Sequence, residues 1–208
     1  MSTVPVPFDA VLCDIDGVLR LWDPDGMSAV DREYGLAAGT LAAAAFREER
    51  LGPAVRGVVT DEEWRASVAE DLAEACGSLA KAKAAVASWE AQEGRVDGEV
   101  LSLLTTARQY VPVVLVSNAT TRLEADLARL GVRDAFDGIV NSSRVGAAKP
   151  DEVVFRIAAE RAGVAASRCL FVDDTLGNVT AAGAVGMTGL HYQRVEQLVE
   201  VLAFPGRG

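Results

Sequence analysis

Four short clusters stand out for the chemistry that their residue types and spacing allow. They are Asp14-x-Asp16-Gly17, Ser117-Asn118, Lys149 ahead of Pro150, and Asp173-Asp174. Each follows an apolar, strand-like run, Lys149 after an intervening loop. In an open parallel sheet the carboxyl ends of the strands share one edge, and ligands bind there. Segments far apart in the chain would therefore meet in one pocket. Four carboxylates and one lysine in one pocket cannot all stay ionised, because like charges push carboxyl pKa values up. A divalent cation resolves the conflict. The candidate ligands are all oxygens, with no His or Cys among them, which favours Mg²⁺. Taken singly, each cluster is an ordinary turn, helix cap or loop dipeptide. All four in this order, each at the expected edge, read as one site.

The elements that must position these residues alternate in the second half of the chain. Val111–Val116 is a continuous apolar run rich in β-branched residues, as expected of a strand buried on both faces. Thr121–Leu130 has leucines on one helical face and stops at Gly131. Ile139-Val140 is a short strand, and Pro150 is expected in the first turn of a helix over 151–162. Cys169–Val172 is a further strand, Leu176–Ala184 a small-residue helix, Thr188–Leu190 a last strand and Arg194–Leu202 a closing helix. With the strand Phe8–Cys13 and the helix Asp97–Tyr110, this predicts an α/β fold, a Rossmann-like parallel sheet flanked by helices.

Residues 20–95 show no strand pattern and are Ala-rich. Pro24, Gly35, Gly52-Pro53, Gly77 and Gly94 divide them into about four helices, with a capping box at Thr60 and Glu63. We expect two domains: an α/β core of residues 1–19 and 96–208, and an inserted helical cap of residues 20–95.

The chain has 208 residues, half of them hydrophobic, so a packed core is expected. A net charge of -10 with no Lys/Arg-rich run argues against nucleic acid as a partner. No apolar stretch approaches the ~18 residues of a membrane span, and residues 1–9 carry no basic residue of a leader. Cys13, Cys76 and Cys169 form no CxxC pair, which fits a reducing cytoplasm. Nothing in the sequence sets the oligomeric state.

The four clusters, in order, resemble the motifs of the haloacid dehalogenase superfamily of hydrolases: Asp14-x-Asp16-Gly17-Val18-Leu19, Ser117-Asn118, Lys149-Pro150, and Asp173-Asp174 followed by Asn178. The resemblance covers essentially the whole chain, and the insertion resembles that family's small helical cap. The last motif, and more loosely Arg56–Trp64, resemble a branch containing sugar-phosphate phosphatases. The resemblance implies an Mg²⁺-dependent phosphatase acting on a small phosphorylated metabolite through an aspartyl-phosphate. It makes Asp14 the nucleophile and Asp16 the acid/base. Asp16, Gly17, Ser117, Asn118 and Lys149 would hold the phosphoryl group, and Ser117 and Lys149 join the catalytic set. Asp14, Asp16 through its main-chain carbonyl, and Asp174 would bind the metal, with Asp173 beside them or acting through water. Arg20, Trp22 and Arg56 are candidates for reading the substrate. His191, the only histidine, is expected to lie away from the motifs.

Two departures from the family pattern are visible. Val18 stands where a Thr is common, and the stretch from Asp174 to Asn178 lacks a further acid seen in some relatives. A phosphomutase would use the same residues. A dehalogenase would replace the second aspartate, and Asp16 is present. A phospho-acceptor signalling domain would carry its acidic pair early and its lone acceptor later, the reverse of the order here.

Overall fold

A computed structural model describes residues 8–204. In chain order the elements are β1 (Ala10–Cys13), β2 (Arg20–Leu21), α1 (Gly26–Tyr34), α2 (Thr40–Ala45), α3 (Glu48–Val55), α4 (Asp61–Cys76) and α5 (Leu79–Glu90). Then follow β3 (Arg95–Val96), α6 (Gly98–Ala107), β4 (Val113–Ser117), α7 (Leu123–Arg129), β5 (Gly138–Asn141), α8 (Ser142–Val145) and α9 (Glu152–Ala162). The chain ends with β6 (Cys169–Asp173), α10 (Leu176–Ala184), β7 (Thr188–His191) and α11 (Val195–Val201). Most of the N-terminal stretch read for a leader lies outside the described residues. No helix among the described residues is long and apolar enough to cross a membrane.

Five strands form one parallel sheet in the order β5-β4-β1-β6-β7. The continuous apolar runs are explained by burial on both faces. Val11, Cys13, Val113, Leu115, Leu170 and Val172 pack with α6, α7 and α11 on one side. Ala10, Leu12, Val114, Val116, Cys169 and Phe171 pack with α9 and α10 on the other. The register sets Cys13 beside both Leu115 and Val172, so the strands end together at one edge.

Helices α1 to α5 surround a separate apolar cluster that includes Leu41, Trp64, Val68, Leu72, Ala82 and Val86. The capping box at the start of α4 is present, with Thr60 and Glu63 bonding reciprocally. Three local expectations are corrected. Gly52-Pro53 does not separate helices but lies inside α3, where Pro53 removes one donor near the end of a short helix that still buries Gly52, Ala54 and Val55. Pro150 precedes the helix: α9 begins at Glu152 with Asp151 as its N-cap. The stretch 20–95 is not free of strands, since Arg20–Leu21 pairs antiparallel with Arg95–Val96. That ribbon clasps the two points at which the chain enters and leaves the helical body. Just beyond it, Asp97 N–H donates to the Leu19 carbonyl at 2.9 Å.

Candidate active site

The ends of β1, β4 and β6 deliver Asp14, Ser117 and Asp173 to the shared edge. Asp14 N–H donates to the Val172 carbonyl at 2.8 Å, which ties the first loop to β6. Lys149 arrives from the loop between α8 and α9, and Asn118 fixes its backbone. The Asn118 amide accepts from Lys149 N–H at 2.7 Å and donates to the Lys149 carbonyl at 2.8 Å. The Lys149 Nζ then reaches Asp14 Oδ1 at 2.8 Å, Asp173 Oδ2 at 2.7 Å and the Val116 carbonyl at 3.1 Å. Ser117, Lys149, Asp14 and Asp173 are all buried.

Burial pushes the Asp14 carboxyl up to about 7; Lys149 pulls it down and Asp173 pushes it further up. Burial alone would lower the Lys149 ammonium, but the two carboxylates outweigh it and hold its pKa above the ordinary lysine range. Burial keeps the neighbouring Cys13 thiol protonated and inert, with Asp14 adding to the effect.

Carboxylate oxygens of Asp14, Asp173 and Asp174 all lie within 4.8 Å of one another. They are not equivalent. Asp173 is 0% exposed, and both its oxygens are engaged. Oδ1 accepts from Thr175 N–H and Asn178 Nδ2, and Oδ2 accepts from Lys149 Nζ and Asn178 Nδ2. Asp14 Oδ1 accepts from Lys149 and from Ile15 N–H, while its Oδ2 has no donor among the described residues. Asp174 is exposed, and its Oδ2 lies where a Cβ on Gly17 would stand, 2.0 Å away. Gly17 also takes φ +86, a conformation that favours glycine. Removing that one side chain lets the Asp174 carboxylate close onto the first loop. The arrangement fits a hard divalent cation between Asp14 and Asp174, with Asp173 held by its donors as a buried neighbour.

Asp16 lies apart from this trio. Its carboxylate accepts from Arg20 Nε at 2.7 Å, Arg20 Nη2 at 2.8 Å and Trp22 Nε1 at 2.6 Å. Arg20, a candidate substrate contact by sequence, is 5% exposed and committed to Asp16 and, at 3.6 Å, to Asp126. Trp22 is 46% exposed beside it. Arg56 stands between the helical body and the core, 3.7 Å from Glu48 and 3.7 Å from Asp151.

His191 is not remote. Strand register sets it opposite Asp173, and its Nε2 lies 2.9 Å from the Asp174 carbonyl. The Asn118–Lys149 and His191–Asp174 contacts join residues 31 and 17 positions apart, whereas Asn178 supports Asp173 from 5 positions away. Asn118 and Asn178 carried a sequence signal as motif residues, and His191 carried none.

Comparisons with known proteins identify the family of this chain. A family model described as haloacid dehalogenase-like hydrolase matches residues 8–186. The chain is 30% identical to the sesquiterpene phosphatase astK of Aspergillus oryzae, over 88% of this chain and 89% of that one. It is 29% identical to the phosphatase MT3486 of Mycobacterium tuberculosis, over 86% of this chain and 84% of that one. For three other curated relatives the match spans only 19%, 37% and 44% of their length. Among solved structures, a HAD family enzyme from Bacteroides thetaiotaomicron, in complex with magnesium and inorganic phosphate, superposes with a TM-score of 0.72. It is 22% identical and covers 89% of this chain and 94% of its own. On the family match and the 30% relative together, this chain belongs to the haloacid dehalogenase-like hydrolases.

Proposed function

We propose that the protein is an Mg²⁺-dependent phosphatase of small phosphate monoesters that works through an aspartyl-phosphate on Asp14. The observation that carries this reading is the Lys149 ammonium bonded to both Asp14 and Asp173, with Asp174 closing on the same point over Gly17. Two of the relatives are named phosphatases, and a structural neighbour holds magnesium and phosphate.

The Asp14 carboxylate attacks phosphorus; an Asp14–phosphorus bond forms and the bond from phosphorus to the ester oxygen breaks. Asp16, on the first loop, gives a proton to the departing alkoxide. A water then attacks the phosphorus of the acyl phosphate, Asp16 takes back a proton, and Asp14 is restored as phosphate leaves. Lys149, Ser117 and the Asn118 backbone amide would meet the charge that develops on the phosphoryl oxygens, while the Gly17 N–H is taken up by the Arg20 carbonyl. Asp14, Asp174 and the Asp16 carbonyl would hold Mg²⁺, which would supply the positive charge that lets anionic ester and anionic nucleophile meet. The helices between 20 and 95 act as the cap that selects the rest of the ester.

The test is phosphate release from a panel of small phosphate monoesters, with chelator and with Mg²⁺ restored. Activity should fall below detection in chelator, return with Mg²⁺ and be absent in Asp14→Asn, a change of about 10³-fold or more given what a lost nucleophile costs. Full turnover in excess chelator, or by Asp14→Asn, would overturn the reading. Return of the phosphate to another carbon of a sugar, with no free phosphate, would identify a mutase instead.

A further inference from the structure

Asp16 is asked to exchange protons from a carboxylate that is not packed into the core: its side chain is 35% exposed. An aspartate on a loop has free χ torsions unless its oxygens are gripped, and displacements near 1 Å cost rate steeply. The grip comes from Arg20 and Trp22. Arg20 meets both oxygens of Asp16 in a two-point, charge-assisted pair. Its guanidinium also sits 4.7 Å from the centroid of the Trp22 ring, while the Trp22 indole N–H donates to the same Asp16 Oδ1.

Arg20 is itself over-determined. Its N–H donates to the Ile15 carbonyl and its carbonyl accepts from Gly17 N–H, which closes the first-motif loop on itself. It pairs with Val96 in the ribbon. Its Cγ lies where a Cβ on Gly94 would stand, 2.7 Å away, so the opposite segment is shaped to let the side chain pass. Asp126 of α7 is 3.6 Å from its Nη1. The loop, the ribbon and the core helix thus all converge on Arg20, through its backbone, its stem and its guanidinium.

We propose that Arg20, with Trp22, is a positioning residue that fixes the Asp16 carboxylate for proton transfer. The inference rests on the phosphatase reading for its chemistry but not for its geometry, so two readouts are paired. The first is kcat/KM, which reports steps through release of the alcohol, for an alkyl phosphate and for p-nitrophenyl phosphate. An aryl leaving group needs little protonation and an alkoxide needs much. Arg20→Gln should lower kcat/KM about 10- to 100-fold for the alkyl ester and about 3-fold or less for the aryl ester, part of the 10²–10⁴ that an acid/base supplies. Combined with Asp16→Asn it should cost no more than Asp16→Asn alone, because the two residues act as one unit. Arg20→Lys, which keeps the charge but not the two-point fork, should fall between Arg20→Gln and wild type with the same preference. It also serves should Arg20→Gln fail to fold.

The second readout is the Trp22 indole N–H resonance in an amide correlation spectrum, identified by its disappearance in Trp22→Phe. It should move in Asp16→Asn and move likewise in Arg20→Gln. Equal losses on both esters, additive losses in the double variant, or a Trp22 resonance unmoved by Arg20→Gln would each overturn the proposal. Failure of the wild-type protein to hydrolyse either ester would instead count against the phosphatase reading, and the indole resonance would still decide the positioning.

Discussion

Asp14, Asp173 and Lys149 set two buried carboxylates against one buried ammonium. Without a metal, the excess charge falls on Asp14, whose carboxyl is raised to about 7 by burial, against the pull of Lys149. A carboxyl raised in the folded state gives stability that is complete below its unfolded value, near 4, and is lost as pH climbs through about 7. In metal-free buffer Asp14→Asn should therefore be more stable than wild type at pH 8, with a Tm higher by roughly 3–6 °C. The difference should shrink towards pH 4. Thermal melts of both proteins from pH 4 to 8 in chelator would check this, and a less stable Asp14→Asn at pH 8 would refute it. At this scale the sequence was informative where chemistry and local spacing coincide. Asp14, Lys149 and Asp174 come together as expected because strand ends must meet at one edge, whereas the Asp16 carboxylate turns to Arg20 and Trp22. The contacts that residues make across the fold were not legible. The Asn118 amide that clasps Lys149, and His191 beside Asp174, depend on register between segments tens of residues apart.

The elements explain why register decides so much. β1, β4 and β6 announce themselves through apolar runs because both faces of the sheet are covered. Arg20–Leu21 and Arg95–Val96 are two-residue strands and have no period to read. α3 hides in the same way, since Gly52-Pro53 looks like a break while its neighbours still bury against the helical cluster. The N-terminus of α4 shows how elements join. Asp61 is buried, with Thr120 Oγ1 donating to its Oδ1 at 2.6 Å and Arg65 Nε to its Oδ2 at 2.7 Å. Its own N–H donates to Thr121 Oγ1 at 3.0 Å. Thr120 and Thr121 continue directly from Ser117-Asn118, so the helical body is pinned to the loop that carries the phosphate-binding candidates. Asp61→Ala would deprive a mostly buried Arg65 of its carboxylate, and the Arg65 Nη1 already has no hydrogen-bond partner among the described residues. It should cost about 2–4 kcal/mol, as breaking a buried pair does. Urea denaturation measures it, and a loss below about 0.5 kcal/mol, the size of a surface change, would show the contact to be incidental.

On the scale of the whole molecule, the helical body touches the core at the ribbon and at the segments that follow β4 and β5. At the ribbon, Arg20 and Trp22 lie over Asp16. Beyond β4 and β5, Asp61 meets Thr120 and Thr121, Arg56 approaches Asp151, and Gly57 lies so close to the Ser143 carbonyl that a Cβ there would stand 1.9 Å from its oxygen. Arg122 adds a third tie, its guanidinium reaching the Glu90 carbonyl at 3.1 Å. A body tied to the core at these points leaves an ester only the space beside them. Opening that space requires parting the polar contacts at Asp61, Arg56 and Arg122 while the short ribbon flexes, which is a motion suited to admitting a small molecule. A folded phosphoprotein presents its phosphate on a broad surface that would have to displace the whole helical body. We therefore expect kcat/KM for a small phosphate monoester to exceed that for an intact phosphoprotein by about 100-fold or more, since a site enclosed in this way excludes bulky surfaces. The informative comparison sets the folded phosphoprotein against a short phosphopeptide cut from it, because both carry the same leaving group. If the folded substrate is dephosphorylated within about 3-fold of its own peptide, a difference of under 1 kcal/mol, the helices do not restrict access and their role as a cap is wrong.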